Sequence, residues 1–119
     1  MQIEFIQIKN EKIAVVQSPD IVIHNAEDAA ELLMNCRYQG SDSIIVNEIN
    51  LPVAFFDLKS GLAGDILQKF STYQGRLAII GDFTKYESKC LRDFIYESNK
   101  GKRINFVSSM EEAKTVLSE

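Results

Sequence analysis

Apolar residues recur along the chain in the spacings of two kinds of element, β-strands and helices. Residues 2 to 8 and 12 to 16 are rich in Ile, Val and Phe, and the polar turn Lys9-Asn10-Glu11 separates them, which predicts an antiparallel hairpin. Three later runs are short and almost wholly apolar: Ser43 to Val46, Leu77 to Ile80, and Ile104 to Val107. Such runs are typical of strands that are buried on both faces of a parallel sheet.

Helical spacing of apolar residues fills the first two intervals between these strands. Asn25 is a favoured N-cap, and the helix that it begins ends near Gly40. A second helix begins at the turn Lys59-Ser60-Gly61 and ends near Gly75. At its start the Ser60 hydroxyl can cap free backbone amides, and the helix dipole would tolerate a negative group there.

Two capping boxes predict the remaining helices. Thr84 with Glu87 begins a third helix that ends near Gly101, and Ser109 with Glu112 begins a fourth. The element order is therefore an N-terminal β-hairpin and a helix, followed by three strand-helix units. We expect a single α/β domain over residues 1–119, with a mixed, mostly parallel five-stranded sheet and helices packed on it.

Composition and charge narrow the range of partners. Apolar residues make up 45% and charged residues 25% of the chain, as in an average globular domain, and the net charge is −4. Apart from Lys100, Lys102 and Arg103, the basic residues are scattered, so we expect no nucleic-acid partner. No apolar stretch approaches the ~20 residues of a membrane span, and the N-terminus lacks a secretory signal. We expect a cytoplasmic protein without a membrane partner.

Residue types that carry chemistry are sparse. Cys36 and Cys90 lie far apart in apolar helical stretches, so we expect both to be reduced and buried, with neither a disulfide nor a zinc ion. Glycine-rich phosphate loops are absent, and Ser60 lacks the nucleophile elbow of a serine hydrolase, with the single histidine, His24, elsewhere in the chain order. The sequence therefore assigns no cofactor, no metal site and no catalytic residue.

Polar residues follow the parallel strands at their carboxyl ends, where open α/β sheets bind ligands. Asn47 and Glu48 follow the third strand, and Asp82 and Thr84 follow the fourth. The carboxylates expected near this edge are Glu48, Asp57, Asp65 and Asp82. Such groups can hold a hard cation or transfer protons, so one hypothesis is a small-ligand-binding or metal-binding enzyme that uses this edge.

Aromatic residues are expected near the same edge and have two interpretations. Phe55, Phe56, Phe83 and Tyr86 either pack as core or form an apolar patch for a protein partner. That partner can be a second copy of the chain, which would make a homodimer. In an extended backbone consecutive side chains point to opposite sides, so we expect either Phe55 or Phe56 to face outward.

The junction from Phe56 to Gly64, together with the element order, resembles the STAS domain of bacterial anti-sigma factor antagonists. The motif of that family runs Asp-Ser-Ser-Gly-Leu-Gly at the same strand-to-helix junction, and Ser60-Gly61-Leu62 matches its Ser-Gly-Leu. Asp57 stands one residue too far from this match, Lys59 replaces the first serine, and Ala63 is additional. The resemblance implies a STAS-like fold and phosphorylation of Ser60 by a partner kinase that is also the anti-sigma factor.

A second resemblance covers nearly the whole chain. Residues 55–70, 78–83 and 93–101 are similar to a bacterial family, the domain of unknown function 4180, which implies no activity. The leading hypothesis is a non-enzymatic regulatory or protein-interaction domain that docks its partner at the junction around Ser60. The residues expected to contact this partner are Phe56, Asp57, Lys59, Ser60 and Gly61.

Overall fold

The sheet begins with the predicted hairpin, formed by β1 (Gln2–Ile8) and β2 (Glu11–Gln17). A computed structural model describes residues 1–119. The strands β3 (Ser43–Asn47), β4 (Arg76–Ile80) and β5 (Ile104–Val107) follow β2 in sequence order, each parallel to its neighbour. The expected mixed, mostly parallel sheet is therefore confirmed, with β1 as its antiparallel edge strand.

Helices cover both faces of this sheet, but unequally. The helices α1 (Ala26–Tyr38), α2 (Leu62–Thr72) and α3 (Lys89–Lys100) connect successive parallel strands and share one core with one face of the sheet. Right-handed connections between neighbouring strands place all three helices on the same face. The last helix, α4 (Met110–Leu117), packs against the opposite face through Ala113, Leu117, Ile45, Ala78 and Val107.

The core under α1, α2 and α3 fixes the position of the sheet's carboxyl edge. Leu33 of α1, Phe70 of α2 and Leu91 of α3 are fully buried against Ile44 and Ile79 of the central strands. Burying a side chain of this size stabilises the fold by about 1.5–3 kcal/mol. The loops at the ends of β3 and β4 are thus carried on a rigid support.

The predicted start of the third helix is wrong. The helix does not begin at a Thr84–Glu87 capping box but after Ser88, whose Oγ accepts a hydrogen bond from the Leu91 amide at 3.2 Å. The Thr84 hydroxyl instead donates to Asp82 at 2.6 Å. This local bond competes with helix capping, because short polar side chains offer the backbone alternatives to a helix.

The two cysteines differ in environment, contrary to the expectation that both are buried. Cys36 is buried in α1, and burial raises the pKa of its thiol to about 11. Cys90 lies in the first turn of α3 and is exposed. The buried residue of that helix is its neighbour Leu91. Both thiols are free.

None of the helices is both long enough and apolar enough to cross a bilayer.

Candidate functional site

Three consecutive 3₁₀ turns connect the end of β3 to α2: Glu48–Asn50, Val53–Phe56 and Leu58–Ser60. The last turn ends at Gly61, whose φ of 78° lies in the left-handed region that favours glycine. Gly61, rather than Ser60, occupies the N-cap position of α2. The helix therefore begins one residue later than a Ser60 cap would place it.

Ser60 is exposed and joins two neighbouring segments. Its Oγ donates a hydrogen bond to the carbonyl of Ala54 at 2.5 Å and accepts one from the amide of Leu62 at 3.2 Å. The hydroxyl thus binds one amide of the first turn of α2, although it is not the N-cap. Its proton holds the Val53–Phe56 turn against the start of the helix.

The charged neighbours of Ser60 are exposed. Asp57 Oδ1 accepts a hydrogen bond from the Lys59 amide at 3.2 Å, which stabilises the turn before Ser60. The Lys59 ammonium forms no ion pair. The junction therefore presents one carboxylate that shapes the backbone and one uncommitted cation.

The aromatic residues form a stacked group at this edge. Phe55 and Phe56 are both buried, which corrects the expectation that one faces outward, because a 3₁₀ turn does not point consecutive side chains to opposite sides. The ring of Phe56 stacks on that of Tyr86 at 5.1 Å and on that of Phe83 at 6.2 Å. These contacts pin the β4–α3 loop to the turns that follow β3.

Glu48 links the ends of β3 and β4. Its carboxylate accepts a hydrogen bond from the Tyr86 hydroxyl at 2.5 Å and pairs with Lys85 Nζ at 2.6 Å. A Cβ on Gly81 would lie 2.7 Å from Glu48 Oε1 and 2.9 Å from Glu48 Cβ, so a side chain at this position would displace Glu48. Burial, and then the hydrogen bond to Glu48 and its charge, raise the pKa of the Tyr86 phenol. Both contacts are made by the same carboxylate oxygen, Oε2, so Glu48 holds Tyr86 and Lys85 together at this edge.

Asn50 organises the same edge and was missed by sequence reasoning. The residue is fully buried, and its Oδ1 accepts a hydrogen bond from the Asn47 amide at 2.8 Å. Its Nδ2 donates to the carbonyls of Ser18 and Asp20 at 3.0 and 2.8 Å. Asn50 thereby ties the loop after β2 to the end of β3. A single asparagine in a loop carries no sequence signal for such a role.

Asp82 forms a closed local turn with Thr84, not a site shared with Glu48. Asp82 Oδ1 accepts hydrogen bonds from the Thr84 hydroxyl and amide, which hold the pKa of this carboxyl below its ordinary value. Glu48 lines one cleft, and Asp82 with Thr84 lines another. The ligand-edge residues proposed from the sequence are thus not brought together. No group of three or more His, Cys, Asp or Glu side chains is arranged to hold a metal ion.

An open apolar cleft of about 450 Å³ lies next to the Ser60 turn. We call it the Val53 cleft, and its lining residues are Ile21, Glu48, Ile49, Leu51, Val53, Phe56, Lys85 and Tyr86. The side chains of Val53 and Ile49 are 88% and 61% exposed. Exposed apolar side chains grouped around a cleft are typical of a surface that binds another molecule.

Comparison with known proteins places the chain in a family. No curated protein matches the sequence significantly. A solved structure from Thermotoga maritima, described as an anti-sigma factor antagonist, is 12% identical and aligns with a TM-score of 0.50 over 98% of this chain and 95% of that chain. At this identity the likeness shows the fold alone, and the expected STAS-like fold is confirmed. The model of a domain of unknown function, DUF4180, matches residues 8–117, and the chain therefore belongs to this family.

Proposed function

We propose that this protein is a non-enzymatic regulatory domain that docks a protein partner on the Val53 cleft beside Ser60. The observation that carries this proposal is the exposure of Val53 and Ile49 on the rigid carboxyl edge of the sheet. Removing such side chains from water on binding is favourable by about 25 cal/mol per Å² of apolar surface. Supporting evidence comes from the likeness in fold to a protein described as an anti-sigma factor antagonist.

The charges around the cleft define the partner's chemistry. Glu48 and Lys85 neutralise each other at its wall, so the cleft interior offers mainly apolar contacts. The exposed Asp57 and Lys59 lie on the turn that follows, outside the residues that line the cleft. A matching partner segment presents aliphatic or aromatic side chains to the cleft and polar side chains to this rim.

Phosphorylation of Ser60 is the regulatory part of the proposal. A phosphate on Oγ removes the proton that is donated to the Ala54 carbonyl and brings negative charge towards that oxygen. Ala54 follows Val53 in the same 3₁₀ turn, so the modification displaces the turn that forms one wall of the cleft. The uncommitted ammonium of Lys59 is available to pair with the phosphate.

Partner capture with matched variants tests the docking surface. Wild-type protein, Val53→Asp and Tyr38→Asp are immobilised and exposed to an extract of the native host, and captured proteins are then purified and titrated. Val53→Asp is expected to weaken binding at least about tenfold. Tyr38, the last residue of α1, is 91% exposed and does not line the cleft, so its substitution serves as the control. Equal affinity of the Val53 variant and wild type would refute docking at the cleft.

Mass spectrometry tests the switch separately. Protein isolated from its host is digested and searched for phosphate on Ser60, and the affinity of Ser60→Asp for the captured partner is compared with that of Ser60→Ala. We expect phosphate on Ser60 and a change in affinity that the aspartate produces and the alanine does not. Unmodified Ser60, together with equal affinities of Ser60→Asp and Ser60→Ala for the partner, would refute the switch but not the docking.

A further inference from the structure

After β4 and after β5 the chain leaves the sheet towards opposite faces. The loop after β4 leads to α3 on one face of the sheet, whereas the loop after β5 leads to α4 on the other face. The two strand ends remain paired, since the Gly81 amide donates to the Val107 carbonyl at 3.0 Å. In open α/β sheets the crevice between strand ends of this kind is the usual place for a ligand.

An open cleft of about 540 Å³ occupies this position, and we call it the switch-point cleft. Its volume falls within the range of small-molecule sites. The apolar part of its wall is formed by Phe83, Ile95, Phe106 and Val107. The rings of Phe83 and Phe106 meet edge to face at 5.2 Å. The cleft therefore offers an apolar and partly aromatic surface to a small molecule.

One charged group in this cleft is a cation without a partner. Arg92 lines the cleft, and its guanidinium forms neither an ion pair nor a side-chain hydrogen bond. The other arginines are all engaged: Arg37 pairs with Asp42, Arg76 donates to carbonyls at the end of α4, and Arg103 donates to the Gly75 carbonyl. Arg92 is thus available for a bidentate contact with a carboxylate.

Two carboxylates line the same cleft, and each has one oxygen in use. Asp82 Oδ1 accepts hydrogen bonds from Thr84, and Glu112 Oε1 accepts one from the Ser108 amide at 2.7 Å. The second oxygen of each carboxylate forms no hydrogen bond within the protein. A ligand that carried only negative charge would meet two like charges here, and one that carried only positive charge would leave Arg92 unpaired.

We propose that the switch-point cleft binds a free α-amino acid with an apolar side chain. The carboxylate of the ligand pairs with Arg92, and its ammonium group pairs with the free oxygens of Asp82 and Glu112. The ligand's side chain packs on Phe83 and Phe106. This site is separate from the Val53 cleft and does not depend on partner docking.

Calorimetric titration of the purified protein with L-phenylalanine and L-leucine tests the proposal. Two analogues of phenylalanine provide matched controls: 3-phenylpropanoate lacks the ammonium group, and 2-phenylethylamine lacks the carboxylate. We expect at least one amino acid to bind. Each analogue should bind about tenfold or more weakly than L-phenylalanine, because each has lost the group that makes a charge-assisted hydrogen bond. Absence of binding by both amino acids, or equal binding of an analogue, would overturn the proposal.

Substitutions on α3 locate the site. Arg92→Gln is expected to weaken amino-acid binding at least about tenfold. Lys89→Gln removes the same charge from the same helix, but Lys89 pairs with Asp93 and lies outside the cleft. This variant should therefore bind the amino acid as tightly as the wild type does. Circular dichroism confirms that both variants fold. Unchanged affinity in Arg92→Gln refutes the site, whereas Val53→Asp, which tests docking, should bind the amino acid normally.

Discussion

Tyr86 shows how a single hydroxyl group holds the carboxyl edge together. Tyr86→Phe removes the hydrogen bond to Glu48 but keeps the ring that stacks on Phe56. Because the acceptor is charged and mostly buried, we expect the free energy of unfolding to fall by about 1–2 kcal/mol in urea titrations. Tyr38→Phe, at an exposed ring, should change it by less than ~0.5 kcal/mol. Equal effects of the two substitutions would contradict the role of this bond.

The same hydroxyl gives the stability of the protein an alkaline pH dependence. Burial raises the pKa of Tyr86 above the value of about 10 found in unfolded chains, so the folded protein retains a proton that the unfolded chain releases. This contribution to stability is complete below about pH 10 and is lost as the pH rises from there through the higher folded pKa. Unfolding free energies measured across this range should decline less steeply in Tyr86→Phe than in wild type.

At the scale of elements, the start of α2 depends on the backbone geometry of one glycine. Gly61 is in the left-handed region and has open space around it, so Gly61→Ala should destabilise the protein through the backbone alone, by about 1–2 kcal/mol. Gly64, inside the first turn of α2, also has open space, and Gly64→Ala should stabilise by up to about 1 kcal/mol. Urea denaturation of both variants measures this difference in sign, and a shared sign would contradict it.

Elements were predictable from the sequence where burial alone decides them. The apolar runs of β3, β4 and β5 are buried on both faces, so their composition indicates strands directly. The turn Val53–Phe56 has a strand-like composition but only four residues, too few for periodicity to distinguish a 3₁₀ turn. Thr84 and Ser88 are both good N-caps, and the bond between Thr84 and Asp82 decides between them.

At the scale of the whole molecule, the predicted topology located the carboxyl edge of the sheet but did not show which residues of that edge share a cleft. Strand order predicts that the loops after β3, β4 and β5 lie at one edge, and they do. Which residues share a cleft depends on loop conformation, which separates Glu48 from Asp82. Arg92 was not predicted as part of a site, because an arginine that lacks a partner has the same sequence context as any surface arginine.

The two cysteines provide a readout of opening of the whole fold. At neutral pH a thiol reagent such as DTNB should modify the exposed Cys90 at once. Cys36 should react only when α1 leaves the core, because its side chain is 1% exposed and burial raises its pKa to about 11. In a Cys90→Ser variant, the protection of Cys36 should therefore match the global free energy of unfolding measured in urea. Rapid labelling of Cys36 at native conditions would show that α1 opens independently of the rest of the fold.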